Sequence, residues 1–343
     1  MFSKALFTVV AGATAVAAHG FVNEIVINGV EFPGFGVTTD SYSTNPPTVI
    51  GWKETATDLG FVGPESYASS DIICHKEAEN AKGHAQVAAG DNVFIQWNTW
   101  PESHKGPVLN YLAACSDAGC ESVDKTGLEF FKIGEKGLLT DATNAGTPGK
   151  FASDELITNG LGWMVNIPAS IAPGFYVLRH EMIALHSTGS PQNYPQCINI
   201  EVTGSGTDVP SGVKGTELYK ATDAGLAFNI YGTYSSYPIP GPALYSGATE
   251  LATQSTSAVT STGAATTGTA LALATSAPAT TSAAAATTTA AAATSPAAVT
   301  SQAAATTFST AIKPASSAPA TTAAPSASNG CNRPRVKVIT VTV

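Results

Sequence analysis

Charge is scarce in this chain. Asp, Glu, Lys and Arg make up 12% of its 343 residues, and 16 basic residues stand against 25 acidic ones for a formal net charge of -9. There is no block of Lys or Arg, so the electrostatic footprint of a nucleic-acid binder is missing. There is also no run of about 20 apolar residues, which excludes an ordinary membrane-spanning helix. Amphipathic helical stretches are few. Charge nearly vanishes between Glu250 and Arg333, where Lys313 is the only charged residue in a stretch of Ala, Thr, Ser and Pro. Such a segment buries too little apolar surface to offset its ordering entropy, so residues 246–330 read as a disordered, O-glycosylated linker. The tail that follows, residues 331–343, is short and basic and has no aromatic side chain to stack on a sugar. It is not read as a further folded module.

What is present begins with a leader. Lys4 supplies a basic end, Leu6 to Ala15 an apolar run too short to cross a membrane, and Val16-Ala17-Ala18 a small-residue cleavage site. Residues 1–18 are therefore read as a signal peptide and the protein as secreted. Removal of the leader makes His19 the new N-terminus, and an N-terminal histidine offers both a free amine and an imidazole to a metal. A cut one residue earlier would start the chain at Ala18 and destroy that chelate.

The folded part runs from residue 19 to 245. Four of the 5 cysteines lie in it (Cys74, Cys115, Cys120 and Cys197), an even number that in a secreted chain implies two disulfides, with three possible pairings. Cys331 is left over, as a free or dimerising thiol. Period-two patterning over Asn92–Trp97, Phe175–Leu185 and Cys197–Val202, bounded by Gly and Pro, predicts short strands between long loops. The expected fold is all-β, an immunoglobulin/fibronectin-like antiparallel β-sandwich with long loops, a single monomeric domain.

All 6 histidines fall in this domain. His104 follows a strand, in a loop enforced by Pro101, Gly106 and Pro107. His180 and His186 share a parity in a strand-like run and so could point together, as could Gln192 and Tyr194 further on. The alternative for these four residues is a buried polar network under Cys197.

His19 after a leader, His104-Lys105-Gly106-Pro107 with Tyr111-Leu112-Ala113 and Cys115, the run His186 to Cys197 with Gln192-Asn193-Tyr194-Pro195-Gln196-Cys197, and Tyr237-Pro238-Ile239-Pro240-Gly241-Pro242 together resemble the fungal lytic polysaccharide monooxygenases of auxiliary activity family nine. The resemblance spans the whole domain. It implies one copper ion held by the His19 amine, the His19 imidazole and the His104 imidazole, with Tyr194 as a distant axial oxygen. Nitrogen ligands in a planar arrangement suit Cu(II). His186 and Gln192 would stand beside the metal, with His180 as the alternative because the stretch from His186 to Gln192 is short for the family. The disulfides would be Cys74–Cys197 and Cys115–Cys120. Tyr237, and after it Tyr42, would stack on glucose rings of cellulose or a related β-glucan. The implied reaction oxidises C1 or C4 of a glucose unit with O2 or H2O2 and an external electron donor. A glycoside hydrolase would instead need two carboxylates flanking the bond; Glu102 and Glu181 are available, but no motif pairs them. A non-catalytic copper- or polysaccharide-binding protein would use the same brace.

Overall fold

A computed structural model describes residues 20–268. The strands in chain order are β1 (Val22–Ile27), β2 (Val30–Pro33), β3 (Ala85–Ala88), β4 (Asn92–Trp97), β5 (Val108–Ala114), β6 (Glu129–Lys136), β7 (Leu138–Thr140), β8 (Lys150–Phe151), β9 (Gly162–Asn166), β10 (Gly174–Ala184), β11 (Gln192–Thr203), β12 (Val213–Lys214) and β13 (Ser261–Thr262). Two short helices, α1 (Asp71–Cys74) and α2 (Ala152–Thr158), lie among the loops. One sheet runs β13-β2-β1-β4-β9 and the other β12-β6-β5-β10-β11-β3, with β7 and β8 as a separate pair. All pairings are antiparallel except β11 with β3 and β13 with β2. The expected β-sandwich is therefore the fold.

The two sheets face each other across a core that includes Ile25, Val93, Ile95, Trp97 and Trp163 from one sheet and Leu112, Leu178, Met182, Tyr194 and Ile198 from the other. The six-stranded sheet is covered on its outer face as well. There Leu109, Tyr111, Val177 and Ile183 pack with Ile72, Ile73, Trp52 and Tyr219 from α1 and the long loops. Strand β10 is consequently buried along nearly all its length. Even-numbered residues face the partner sheet and odd-numbered ones the loop layer, as the two-residue repeat requires.

The disulfides join Cys74 to Cys197 and Cys115 to Cys120. The first ties the end of α1 to β11 across the loop layer. The second closes a local turn after β5.

The chain does not leave the sandwich at Ser246, where the composition changes. Gln254 accepts from the Met164 backbone N–H at 2.6 Å, Thr260 N–H donates to the Gly29 carbonyl, β13 pairs with Val30 and Glu31 of β2, and Thr266 exchanges two backbone bonds with His84. The reason is backbone chemistry: β2 would otherwise be a sheet edge with open N–H and C=O groups, and any extended segment can cover it. Composition does not register that demand. The rest of the expected linker and the basic tail with Cys331 lie outside the described residues.

Candidate metal centre

The site is built where β4 ends. After Trp97 the chain turns at Pro101, and the His104 N–H closes that turn on the Pro101 carbonyl at 3.0 Å. The Trp100 indole donates to the His104 carbonyl at 2.9 Å, so backbone bonds fix His104 from both sides. Its Nδ1 lies 3.1 Å from Ser103 Oγ, and the side chain is buried. Gly106 follows because the loop runs back against the end of β10: a Cβ there would sit 1.8 Å from the Ile183 carbonyl oxygen. Leu185 N–H bonds the Lys105 carbonyl in the same approach, and His186 comes to rest with its ring centroid 4.0 Å from that of His104.

Tyr194 reaches the same place from β11. Its ring stands edge-on to Trp100 at 5.0 Å, and its hydroxyl donates to Gln192 Oε1 at 2.9 Å. Gln192 and Tyr194 thus share a face, as their parity implied. Burial pushes the Tyr194 phenol well above its ordinary range, so it stays protonated.

His180 is elsewhere. The Trp97 indole, a donor only, bonds His180 Nε2 at 2.9 Å, so Nδ1 carries the proton and donates to Asn110 Oδ1 at 2.7 Å. It is fully buried between the sheets. Parity failed to join it to His186 because β10 ends at Ala184 and His186 belongs to the loop beyond. Burial, and then the Arg179 charge, hold His180 down to about 3. The unfolded state, with a pKa near 6.5, therefore binds more protons between these values. Stability from this group is full above about pH 6.5 and is lost as pH falls toward 3. We expect His180→Gln to show a smaller loss of stability than the parent between pH 7 and 4 in urea denaturation; equal losses would remove His180 as the cause.

The hydrolase alternative fails on Glu181. It is completely buried in the loop layer, ion-paired with Arg179 and sealed from any polymer, whereas Glu102 is exposed. Tyr237 is partly buried, its hydroxyl donating to the Gly225 carbonyl and its ring against Phe151 and Phe228. Tyr42 is 73% exposed and Tyr231 is 41% exposed. Tyr231 was not singled out in the sequence. Its hydroxyl donates to the His186 carbonyl at 3.1 Å, which places an exposed ring beside the site. A Tyr-rich loop gives no sequence signal for which ring faces out.

His19 lies outside the described residues, but its neighbour is tightly placed. A Cβ on Gly20 would sit 2.1 Å from the Thr99 carbonyl oxygen, and Phe21 and Asn98 exchange two hydrogen bonds. The chain therefore reaches residue 20 alongside the segment that leads into His104. Among the described residues no group of three or more His, Cys, Asp or Glu could hold a metal. One imidazole and one phenol are too few donors for copper. An N-terminal amine with its own imidazole would complete a nitrogen-rich set of the kind Cu(II) prefers, so the residues fit that ion.

The model of Auxiliary Activity family 9, formerly glycoside hydrolase family 61, matches residues 19–237. The AA9 family lytic polysaccharide monooxygenase D of Podospora anserina is 58% identical over 261 residues, 75% of each chain. Monooxygenase A of Malbranchea cinnamomea is 56% identical over 250 residues, 72% of this chain and 74% of its own. The solved extended catalytic domain of H. jecorina LPMO9A superposes with a TM-score of 0.69 at 54% identity, covering 73% of this chain and all of that one. On this evidence the chain belongs to Auxiliary Activity family 9 and is a copper-dependent oxidoreductase of the lytic polysaccharide monooxygenase type.

Proposed function

We propose that the protein, secreted after loss of residues 1–18, cleaves β-1,4-glucan chains of cellulose by oxidation at C1 or C4, using O2 or H2O2 and an external electron donor. The observation that carries the proposal is that His104, with His186 beside it, and Tyr194 both pack on Trp100 at the end of the sandwich where the N-terminal strand begins. The His19 amine and imidazole with His104 would hold the copper, and the Tyr194 phenol would stand nearby. When bound, copper supplies a one-electron couple and activates the oxygen co-substrate. The protein's own groups do the rest. Tyr194 presents a neutral hydroxyl whose proton is committed to Gln192, which fixes the phenol's direction. His186, its ring tilted against that of His104 and anchored through its carbonyl by Tyr231, can hold or deliver a proton at the site.

Tyr42 and Tyr231 are the exposed rings for a sugar face. Replacing Tyr231 with Ala is expected to weaken binding to crystalline cellulose about 5- to 10-fold, or roughly 1 kcal/mol, the scale of one ring contact, with little change in stability. Tyr237→Ala should instead lower the melting temperature. Pull-down isotherms and thermal scans separate the two, and the reverse pattern would sink the assignment of Tyr231 to the sugar face.

The decisive assay combines the secreted protein, a reductant and cellulose. Aldonic acids or C4-oxidised sugars in the products support the proposal; copper binding without oxidised products would make this chain a non-catalytic binder. Mass spectrometry of the intact N-terminus tests the cut before His19.

A further inference from the structure

We infer that Gln196, Glu54 and His75 form a positioning relay that holds the N-terminal arm in place for copper binding, an inference that rests on His19 being a ligand. The starting observation is that sheet pairing is irregular where the arm nears the site. The β1–β4 ladder runs regularly from Ile27 opposite Val93 to Glu24 opposite Gln96, then slips between Glu24 and Val22. Side-chain amides take over at that point. Asn98 Oδ1 accepts from Phe21 N–H at 2.9 Å, and Gln196 Oε1 accepts from Val22 N–H at 3.1 Å. Gln196 belongs to the other sheet, so its bond crosses the end of the sandwich to reach the arm.

An amide can accept from Val22 only if its oxygen faces that N–H, and its NH2 must then find acceptors of its own. Glu54 Oε1 provides one at 3.0 Å and the Pro195 carbonyl another at 3.1 Å. The second oxygen of Glu54 lies 2.5 Å from His75 Nδ1, with both residues almost completely buried. His75 has φ +82° and ψ 178°, a left-handed backbone state that strains a non-glycine residue. It persists because the surroundings over-determine it. Cys74, just before His75, is bonded to Cys197, just after Gln196, so Gln196, Glu54, His75 and the disulfide make a closed circuit. The circuit sets the amide's orientation, and the amide sets Val22. Glu54 also accepts from Ser41 through its backbone carbonyl at 3.4 Å, which hangs the Tyr42 loop on the same residue. Outer groups of this kind govern metal affinity by orienting the ligands.

The test uses the full secreted protein and three variants. Gln196→Met deletes the acceptor at similar volume, Glu54→Ala removes its partner, and Glu54→Gln restores an acceptor oxygen. Hydrogen exchange at residues 20–24 of the copper-free protein reads the arm directly, and Cu(II) titration with electron paramagnetic resonance reads the site. Exchange about 10-fold faster in Gln196→Met and Glu54→Ala, copper affinity about 10- to 100-fold lower, an altered copper hyperfine pattern, and recovery in Glu54→Gln are the expected results. Unchanged exchange overturns the relay. So does faster exchange with the parent's affinity and spectrum. If Gln196→Met does not fold, the two Glu54 variants decide alone. A parent protein that starts at His19 and binds no copper overturns the functional reading itself, a failure visible before any variant is made.

Discussion

Replacing His104 with alanine is expected to abolish oxidative cleavage of cellulose and to lower Cu(II) affinity by more than about 100-fold, because loss of a ligand exceeds the 10- to 100-fold cost of losing an outer partner. The geometry gives the loss its specificity. His104 is fixed by bonds from its own loop: its N–H to Pro101, its carbonyl from the Trp100 indole, its Nδ1 beside Ser103. The loop therefore keeps its shape when the ring is removed, and no other imidazole can move in. His186 is held by Tyr231 through its backbone, and His180 is locked between Trp97 and Asn110. The copper-free variant should melt within a few degrees of the parent, which separates ligand loss from unfolding. Calorimetric titration and product analysis are the measurements. Parent-like affinity in the variant would remove His104 from the site.

The largest effect on stability is expected at Glu181. Its carboxylate accepts two bonds from Arg179, at 2.7 and 3.1 Å, one from Asn193 at 2.8 Å, and one from the Tyr219 hydroxyl, all without exposure to solvent. Two further Arg179 donors go to the Ile72 and Ile73 carbonyls, each at 2.7 Å, just ahead of the Cys74 disulfide. Burial disfavours the guanidinium charge, but Glu181 more than offsets this and holds the pKa above its usual value. Glu181→Leu leaves that charge buried and unpaired, at a cost of about 3–5 kcal/mol. In a domain of this size the melting temperature should fall by on the order of 10 °C. The double variant Arg179→Met with Glu181→Leu should recover most of the loss, since a well-packed apolar pair avoids the desolvation of both ions. Chemical denaturation of the four proteins gives the coupling energy. Additive losses would mean the pair contributes nothing as a pair.

The strands were legible because their repeat is local. Asn92–Trp97 is β4 residue for residue, Cys197–Val202 falls within β11, and Phe175–Leu185 overruns the end of β10 by one residue. The loop at His104 was equally readable, since Pro and Gly act on their own backbone. The shared face of Gln192 and Tyr194 followed from parity within one strand. Parity misled for His180 and His186 because it holds only while the strand continues, and β10 stops between them.

What the sequence alone determined is the chemistry available: a scarcity of charge, the strand pattern, and the order of His104, His186, Gln192 and Tyr194 along the chain. What only the tertiary structure decided is which groups meet and which face water. Tyr237 packs against Phe151 and Phe228 while Tyr231 faces out, Glu181 seals a buried cation, an uncharged Ser/Thr/Ala segment covers the edge of β2, and Gln196 crosses between the sheets to reach Val22. These outcomes depend on contacts between residues up to 231 positions apart, as in the Thr260 bond to Gly29. A local pattern carries no information about such contacts, because burial and hydrogen-bond demand are properties of the packed surface rather than of the residue.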